Sequence, residues 1–366
     1  MVRNTIGLSR DFIIHPGETL KEVLENRELS QRELALRTGV TETHISWLVN
    51  GKKGISISFA KKLEYVLNVD ASFWINLQSN YDKELEDYKE INDISDREVR
   101  VLSKLENIIS FMQQNGIIPV ESSDLSRVID LRKLLNISSL FRIPDICQAG
   151  AYRLPASANI DPYVLFTWLR LCDLITSKYK ISKILDVEKL KKAIPLIKEV
   201  MFADVSKIQL RLQDIFAQCG IRFSIIKYFT GAPVQGVLKK GNDGSLSLIV
   251  TDRQKFADIF WFTLFHEIGH VIHGDFEDQL IDYESVDSDV EKRADEYATN
   301  ALIRPDEYQR FVESENYSLD HINYFCSEVG VPNYVLIGRL QKEGFLRYNQ
   351  YVSEKARYEI EDLINV

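Results

Sequence analysis

The sequence contains few residues of the types that cross-link a chain or anchor it in a membrane. Its 366 residues include 4 cysteines, which are Cys147, Cys172, Cys219 and Cys326. They lie far apart and form no CxxC pair, so we expect buried thiols in a reducing cytoplasm, not disulfides or a cysteine metal site. No apolar run reaches the length of a membrane span, and the N-terminus lacks a secretory pattern. We therefore expect a cytoplasmic protein with no membrane partner.

The composition also lacks a large excess of basic residues. The net charge is −9, from 54 acidic and 45 basic residues. Such a chain does not bind nucleic acid over its whole surface, although a local basic patch remains compatible with this charge. The length allows two or three domains, and we find no tandem repeat or low-complexity segment.

One mostly apolar stretch, residues 260–274, contains the most informative polar residues. It has no proline and predicts a helix buried inside the protein. His266 and His270 lie four residues apart, so on a helix their Cβ atoms are about 5–6 Å apart and both rings can bind one metal ion. Glu267 points about 100° away, where it can take a proton from a water at the metal.

This His-Glu-x-x-His spacing is typical of zinc peptidases. We expect Zn²⁺, with Mn²⁺ as the alternative, to be bound by His266 and His270, and Glu267 to act as the catalytic base. The alternative interpretation is a core helix whose histidines hydrogen-bond to carbonyl groups. A catalytic zinc also needs a third protein ligand.

A second predicted helix offers that ligand. Glu291 and Asp295 share one face with Ala294 and Ala298, whose small side chains would let the two helices approach closely. Glu291 could then reach the metal, and Asp295 could accept the free N–H of a metal-binding imidazole. Ser288 and Glu291 also match a capping box, in which Glu291 only satisfies the helix N-terminus. The other candidate ligands are Asp282, Glu284, Asp287, Asp289 and His273.

Three strings in this region carry a resemblance to a known family: Trp-Phe-Thr-Leu-Phe-His-Glu-Ile-Gly-His at 261–270, Glu-Lys-Arg-Ala-Asp-Glu-Tyr-Ala at 291–298, and Ala-Leu-Ile-Arg-Pro at 301–305. They resemble the ImmA/IrrE family of metallopeptidases, whose members cleave repressor proteins and so switch on genes. That family usually has Asn in place of Asp295 and often Glu in place of Arg293. Neither difference removes a ligand.

The resemblance implies that His266, His270 and Glu291 hold the metal. It also implies that Glu267 is the catalytic base and that the substrate is a repressor or another partner protein. The group that would stabilise the oxyanion is not assigned by the pattern, and Tyr297 and His273 are the candidates.

The first 82 residues carry a different pattern. Ser30 opens a helix with a capping box, Gly39 makes a turn, and Thr41 caps another helix. Two short helices joined by a glycine-containing turn follow the helix-turn-helix plan. The alternative is a helical bundle with no role on DNA. We expect DNA contacts from Glu42, Thr43, His44, Ser46, Asn50, Lys52 and Lys53, with the two lysines at phosphates.

Four strings in this part resemble the HigA/VapI branch of the Xre-type repressors: His-Pro-Gly-Glu-Thr-Leu, Leu-Ser-Gln-Arg-Glu-Leu-Ala, Ile-Ser-Trp-Leu-Val-Asn-Gly and Ser-Phe-Trp-Ile-Asn-Leu-Gln. HigA members are antitoxins that bind operator DNA as dimers and often neutralise a ribosome-dependent ribonuclease. The resemblance therefore implies operator DNA, a homodimer and a cognate toxin as partners.

The whole chain is predicted to be mostly α, with three regions. These are an all-α helix-turn-helix domain at 1–82, a helical connecting region at 83–200, and an α+β zincin-like domain at 201–366 with a small β-sheet beside the His-Glu helix. Strands are expected near 221–229, 236–238 and 246–251. Residues 321–344 could form a second helix-turn-helix, but a packing elbow is the preferred interpretation.

The sequence thus predicts a DNA-binding regulator that carries a zinc-dependent endopeptidase. The alternative is a non-proteolytic antitoxin or repressor whose metal-binding domain senses or binds a partner.

Overall fold

Helices make up most of the structure. The computed structural model describes residues 10–120, 123–147, 160–179, 181, 183–241, 244–253, 255–276, 279–283 and 289–358. The chain divides into two units. The first comprises Met1–Leu102 with Glu121–Asp130, and the second comprises Ser103–Val120 with Leu131–Val366. Among the described helices, none is both long and apolar enough to cross a membrane.

The first unit is all helical. Its helices are α1 (Pro16–Asn26), α2 (Gln31–Thr38), α3 (Glu42–Val49), α4 (Ile57–Leu67), α5 (Ala71–Asp93) and α6 (Asp96–Val99). The predicted caps are confirmed, because Ser30 Oγ accepts the N–H of Glu33 and Thr41 Oγ1 accepts the N–H of His44. Gly39 adopts the left-handed conformation between α2 and α3, with φ 64°.

The core of this unit is formed by the apolar faces of the helices. Its largest fully buried side chains are Leu20, Leu34, Ile45, Leu48, Leu63, Leu67 and Trp74. Gly17 allows α1 to approach the end of α3, since a Cβ there would lie 2.0 Å from the carbonyl oxygen of Leu48. The helix-turn-helix prediction is confirmed by this arrangement of α2 and α3.

The second unit begins with helices and then forms a sheet. Its elements, with α8 crossing the boundary between the units, are α7 (Leu102–Gln114), α8 (Asp124–Leu135), α9 (Ile143–Ile146), α10 (Pro162–Ser177), α11 (Val187–Glu199), α12 (Val205–Gln218), β1 (Ile221–Ile226), β2 (Val234–Lys240), β3 (Leu246–Thr251), α13 (Ala257–His273), β4 (Gln279–Tyr283), α14 (Asp289–Leu302), α15 (Pro305–Glu313), α16 (Leu319–Val329) and α17 (Asn333–Lys342). Short 3-10 turns occupy Arg10–Phe12, Leu140–Arg142, Val200–Phe202 and Val352–Glu354.

The sheet has the strand order β1-β3-β2-β4. Strand β3 pairs in parallel with β1, and β2 pairs antiparallel with both β3 and β4. The described chain therefore has a fourth strand that the sequence pattern did not predict, because Gln279–Tyr283 shows no regular alternation. Strand β3 is buried along its whole length, as expected for a strand that enters the core beside α13.

Helix α13 lies in the middle of the second core, as its apolar composition predicts. Trp261, Leu264, Phe265 and Ile268 are fully buried. Gly274, with φ 81°, ends the helix.

The segment 321–344 forms a packing elbow, which confirms the preferred interpretation. Gly330 adopts the left-handed conformation, with φ 70°, between α16 and α17. Leu336, Ile337 and Leu340 of α17 are fully buried in the second core, so α17 does not present the exposed face that a DNA-reading helix requires. The predicted domain boundaries after residues 82 and 200 stay predictions, and α5 continues through residue 82.

Candidate metal centre and nucleic-acid interface

Three predicted ligands converge between α13 and α14. His266 Nε2 lies 2.9 Å from His270 Nε2 and 3.0 Å from Glu291 Oε2, and His270 Nε2 lies 3.5 Å from the same oxygen. The two histidines are buried and Glu291 is half-buried. One cluster of potential metal-binding atoms therefore forms from residues that are 25 positions apart in the chain.

The convergence depends on close contact between the two helices. A Cβ at Gly269 would lie 3.2 Å from both the Cα and the carbonyl oxygen of Ala294, which is tighter than an ordinary contact. Ala294 and Ala298 are fully buried. The small residues on both helices bring the carboxylate of Glu291 within reach of the imidazoles.

The acceptor pattern around His266 fits a cation at this point. Its Nδ1 lies 2.9 Å from Asp295 Oδ1. An ionised carboxylate only accepts hydrogen bonds, so Nδ1 of His266 is the donor to Asp295, and Nε2 of the same ring faces Glu291 and His270. One nitrogen of each ring and one carboxylate oxygen lie within 4.8 Å of one another, so the three residues could hold a metal ion.

The distances also fit zinc. With Zn–N and Zn–O bonds of about 2.0–2.1 Å, the edges of a tetrahedron are about 3.3 Å long. The three separations of 2.9, 3.0 and 3.5 Å bracket that value. Two nitrogens and one carboxylate oxygen form a ligand set that suits Zn²⁺ and is also acceptable to Mn²⁺.

Glu291 and Asp295 are both held in the ionised form. Burial opposes ionisation of Glu291, but hydrogen bonds to His266 and His270 outweigh it and lower the pKa of Glu291 to about 2. Burial likewise opposes ionisation of Asp295, and its contact with His266, aided by Lys342, lowers the pKa of Asp295. Lys342 Nζ lies 3.8 Å from Asp295 Oδ2.

Some of the alternative ligands, and both oxyanion candidates, lie in the described part of the structure. Asp289 is the first residue of α14, Asp282 lies on β4, and Ser288, Glu284 and Asp287 lie outside the described residues. The capping-box interpretation of Glu291 therefore stays untested at Ser288, but the Glu291 carboxylate does reach the histidines. His273 and Tyr297 contact each other, with ring centres 6.1 Å apart, and burial raises the pKa of Tyr297 to about 12.

Glu267 lies beneath strand β2. Its side chain is fully buried, and a Cβ added to Gly236 would lie only 1.8 Å from Glu267 Oε1. The sequence did not single out Gly236 as a neighbour of Glu267, since a lone glycine in a strand predicts only a bulge or a close backbone approach. Asp275 was missed as well, although it follows the helix-ending Gly274. Its Oδ2 lies 3.6 Å from His270 Nδ1.

The predicted DNA-contacting residues lie on α3 and in the turn after it. Glu42, Thr43, Asn50, Lys52 and Lys53 are exposed, whereas His44 and Ser46 are half-buried. The backbone N–H groups of Lys52 and Lys53 donate to the carbonyl oxygen of Trp47, which fixes both lysines beside the end of α3. Trp47, which the sequence analysis missed as a surface residue, is 49% exposed.

Several of these side chains also contact one another. Asn50 Nδ2 donates to the carbonyl oxygen of Ser46 at 2.8 Å, and Lys53 Nζ lies 3.2 Å from His44 Nδ1. Burial, together with Lys53 and Lys62, lowers the pKa of His44. We therefore expect a neutral imidazole at this position at neutral pH.

Comparisons with known proteins concern the first unit. A family model described as Helix-turn-helix matches residues 20–74. The virulence-associated protein A' of Dichelobacter nodosus is 39% identical over 69 residues, which are 19% of this chain and 60% of that protein. The chain thus covers less than two thirds of that relative.

Two further relatives are covered more completely. The virulence-associated protein I of the same organism is 36% identical over 82 residues, which are 22% of this chain and 76% of that protein. The Pseudomonas aeruginosa antitoxin HigA, solved with the higBA promoter, is 33% identical, with 23% of this chain and 96% of that one covered and a TM-score of 0.20. Through its N-terminal domain, an Xre-type domain of the HigA/VapI-like kind, the chain belongs to the helix-turn-helix family.

Proposed function

We propose that the protein is a DNA-binding regulator, of the antitoxin or repressor type, that also carries a zinc-dependent endopeptidase acting on a repressor or another partner protein. The proposed peptidase activity is supported by one observation. His266 Nε2, His270 Nε2 and Glu291 Oε2 converge in one cluster, and Glu267 is the residue next to His266 on α13.

The DNA-binding half is supported by the helix-turn-helix match and by the exposed residues of α3. Helices of this kind read base edges in the major groove, while nearby lysines contact phosphates. By analogy with the HigA relative, whose structure contains a promoter, operator DNA is the proposed ligand. A homodimer and a cognate toxin are proposed partners because the first 82 residues resemble the HigA/VapI-type repressors.

The residues of the proposed metal centre fit the roles that peptide hydrolysis requires. His266, His270 and Glu291 would hold the ion. When bound, zinc acts as a Lewis acid that lowers the pKa of a water molecule to about 7 and polarises the scissile carbonyl.

Glu267 supplies the proton chemistry. Its carboxylate would take a proton from the attacking water and deliver it to the nitrogen of the leaving amine, so that the base is regenerated in each cycle. Full burial under β2 keeps this carboxylate away from bulk water. Asp295 does not react, and its role is to hold His266 with the Nε2 lone pair directed at the ion.

Chelation tests this proposal in vitro. The purified protein should contain one zinc per chain and cleave at least one protein in an extract of its native host, with the cleavage sites located by N-terminal labelling. Removing the zinc should stop cleavage, and adding zinc back should restore it. Wild-type protein that contains zinc but produces no cleavage with or without chelator would contradict the peptidase.

The comparisons favour the DNA-binding half specifically, since the family match lies within residues 20–74. This observation keeps the second candidate, a non-proteolytic antitoxin or repressor whose metal-binding unit senses or binds a partner. In that case operator and toxin binding, not hydrolysis, would be the measurable activity. Zinc removal that changes operator affinity, with no protein cleaved, would favour this candidate.

A further inference from the structure

The second histidine of the cluster has a buried contact that the proposed ligand set does not include. His270 Nδ1 lies 3.6 Å from Asp275 Oδ2, and among the described residues neither atom has a hydrogen-bond partner. His270 is fully buried and the Asp275 side chain is 14% exposed. Leaving buried polar groups unsatisfied is costly, so the two atoms are natural partners for each other.

The end of α13 places Asp275 beside His270. Gly274 adopts a left-handed conformation, and the N–H of Asp275 donates to the carbonyl oxygen of His270 at 2.9 Å. This hydrogen bond turns the chain back over the last turn of the helix, as is common where a glycine follows a helix. A residue five positions after His270 is thereby brought against the edge of its ring.

A second helix then holds the carboxylate. Arg293 on α14 donates from its guanidinium to Asp275 Oδ1 at 3.0 Å, which leaves Oδ2 for His270. The same arrangement exists at His266, whose Nδ1 faces Asp295, while Asp295 contacts Lys342. Each imidazole of the cluster therefore contacts a carboxylate through its Nδ1, and each of these carboxylates contacts a cationic side chain.

We propose that Asp275 is a positioning residue of the metal centre, that it fixes the proton of His270 on Nδ1 so that Nε2 faces the ion, and that Arg293 holds it there. This inference rests on the proposed metal-binding function. Removing a carboxylate that backs a zinc-binding histidine typically weakens metal affinity about 10–100-fold.

Zinc affinity, measured by competition with a chromophoric chelator, tests the inference. D275A should bind zinc about 10–100-fold more weakly than the wild type. D275N should lose less, because its amide oxygen still accepts the Nδ1 proton but carries no charge. R293Q should show a smaller loss still, and since the Arg293 side chain is 52% exposed, this variant should fold normally.

R304Q is the matched control. It removes an exposed arginine–aspartate contact of 2.8 Å in the same unit, between Arg304 and Asp306, and should leave zinc affinity unchanged. The absorption spectrum of the Co²⁺ form gives a second readout, and it should change in D275A but not in R304Q.

The outcomes separate the two proposals. Wild-type protein that binds no zinc overturns the proposed function and this inference with it. Wild-type protein that binds zinc, with D275A equal to it in both affinity and Co²⁺ spectrum, overturns the inference alone. A lower melting temperature of metal-free D275A without any loss of zinc affinity would likewise reduce Asp275 to a purely structural residue.

Discussion

Gly236→Ala should displace Glu267 without touching the metal ligands. The new Cβ would lie 1.8 Å from Glu267 Oε1, 2.3 Å from Cδ and 2.7 Å from Cγ, all closer than the 3.0 Å that real Cβ contacts keep. Strand β2 cannot retreat easily, because it is paired with β3 and with β4. The carboxylate therefore has to move by more than about 1 Å, a misplacement that can cost about 100-fold in rate.

The same clash sets the stability change. Overpacking costs about 1–3 kcal/mol, and replacing a strand glycine by alanine returns about 0.5–1 kcal/mol, so we expect a net loss of up to about 2.5 kcal/mol in the free energy of unfolding. In an E267A background the obstructing side chain is absent, and Gly236→Ala should become neutral or stabilising. Denaturant unfolding of the four proteins of this cycle measures the coupling.

Zinc content should be unchanged in Gly236→Ala, which separates a misplaced base from a lost metal. Equal costs of Gly236→Ala in the two backgrounds would refute the contact with Glu267. A wild-type cleavage rate in the single variant would refute the claim that the position of this carboxylate matters for hydrolysis.

Three other outcomes follow from the structure. E291Q should abolish stoichiometric zinc if Glu291 is a ligand, whereas a residue that only caps α14 would cost about 1 kcal/mol when made Ala and leave zinc intact. In metal-free protein the pKa of Glu291 is lowered to about 2, so its ionised carboxylate stabilises the folded state. This stabilisation is complete above the unfolded pKa of about 4.3 and is lost as the pH falls towards 2. Acid unfolding of E291Q, followed by circular dichroism, should lack this loss of stability. K52A/K53A should weaken binding to all DNA sequences and reduce the slope of log K against log salt by about 0.9 per lost phosphate contact. An unchanged slope would show that neither lysine lies in the interface. S46A should instead alter the preference among DNA sequences.

The sequence predicted the parts of the fold that depend on local patterns. The ends of α2 and α3 lie at Ser30, Gly39 and Thr41 as expected, because caps and left-handed turns are decided by a few neighbouring residues. The shared face of His266 and His270 was also predictable, since helical geometry alone brings residues four apart together.

The contacts between distant segments were less predictable. Strand β4 pairs with residues of β2 that lie at least 40 positions earlier in the chain, and nothing in its short sequence indicates that partner. The closeness of Gly236 to Glu267 likewise depends on how a strand and a helix pack. Asp275 had a local signal, because it follows Gly274 at the end of a helix, but the role of its carboxylate depends on Arg293 from another helix.

A comparison of new protein N-termini in native-host cells that express the wild type or E267Q tests whether this DNA-binding chain also hydrolyses a partner protein. Glutamine keeps the size of Glu267 but cannot accept a proton at neutral pH, so zinc and operator binding should persist while cleavage falls at least about 10²-fold. At least one N-terminus should therefore depend on Glu267. Identical sets of N-termini in the two strains, at equal zinc content, would contradict it.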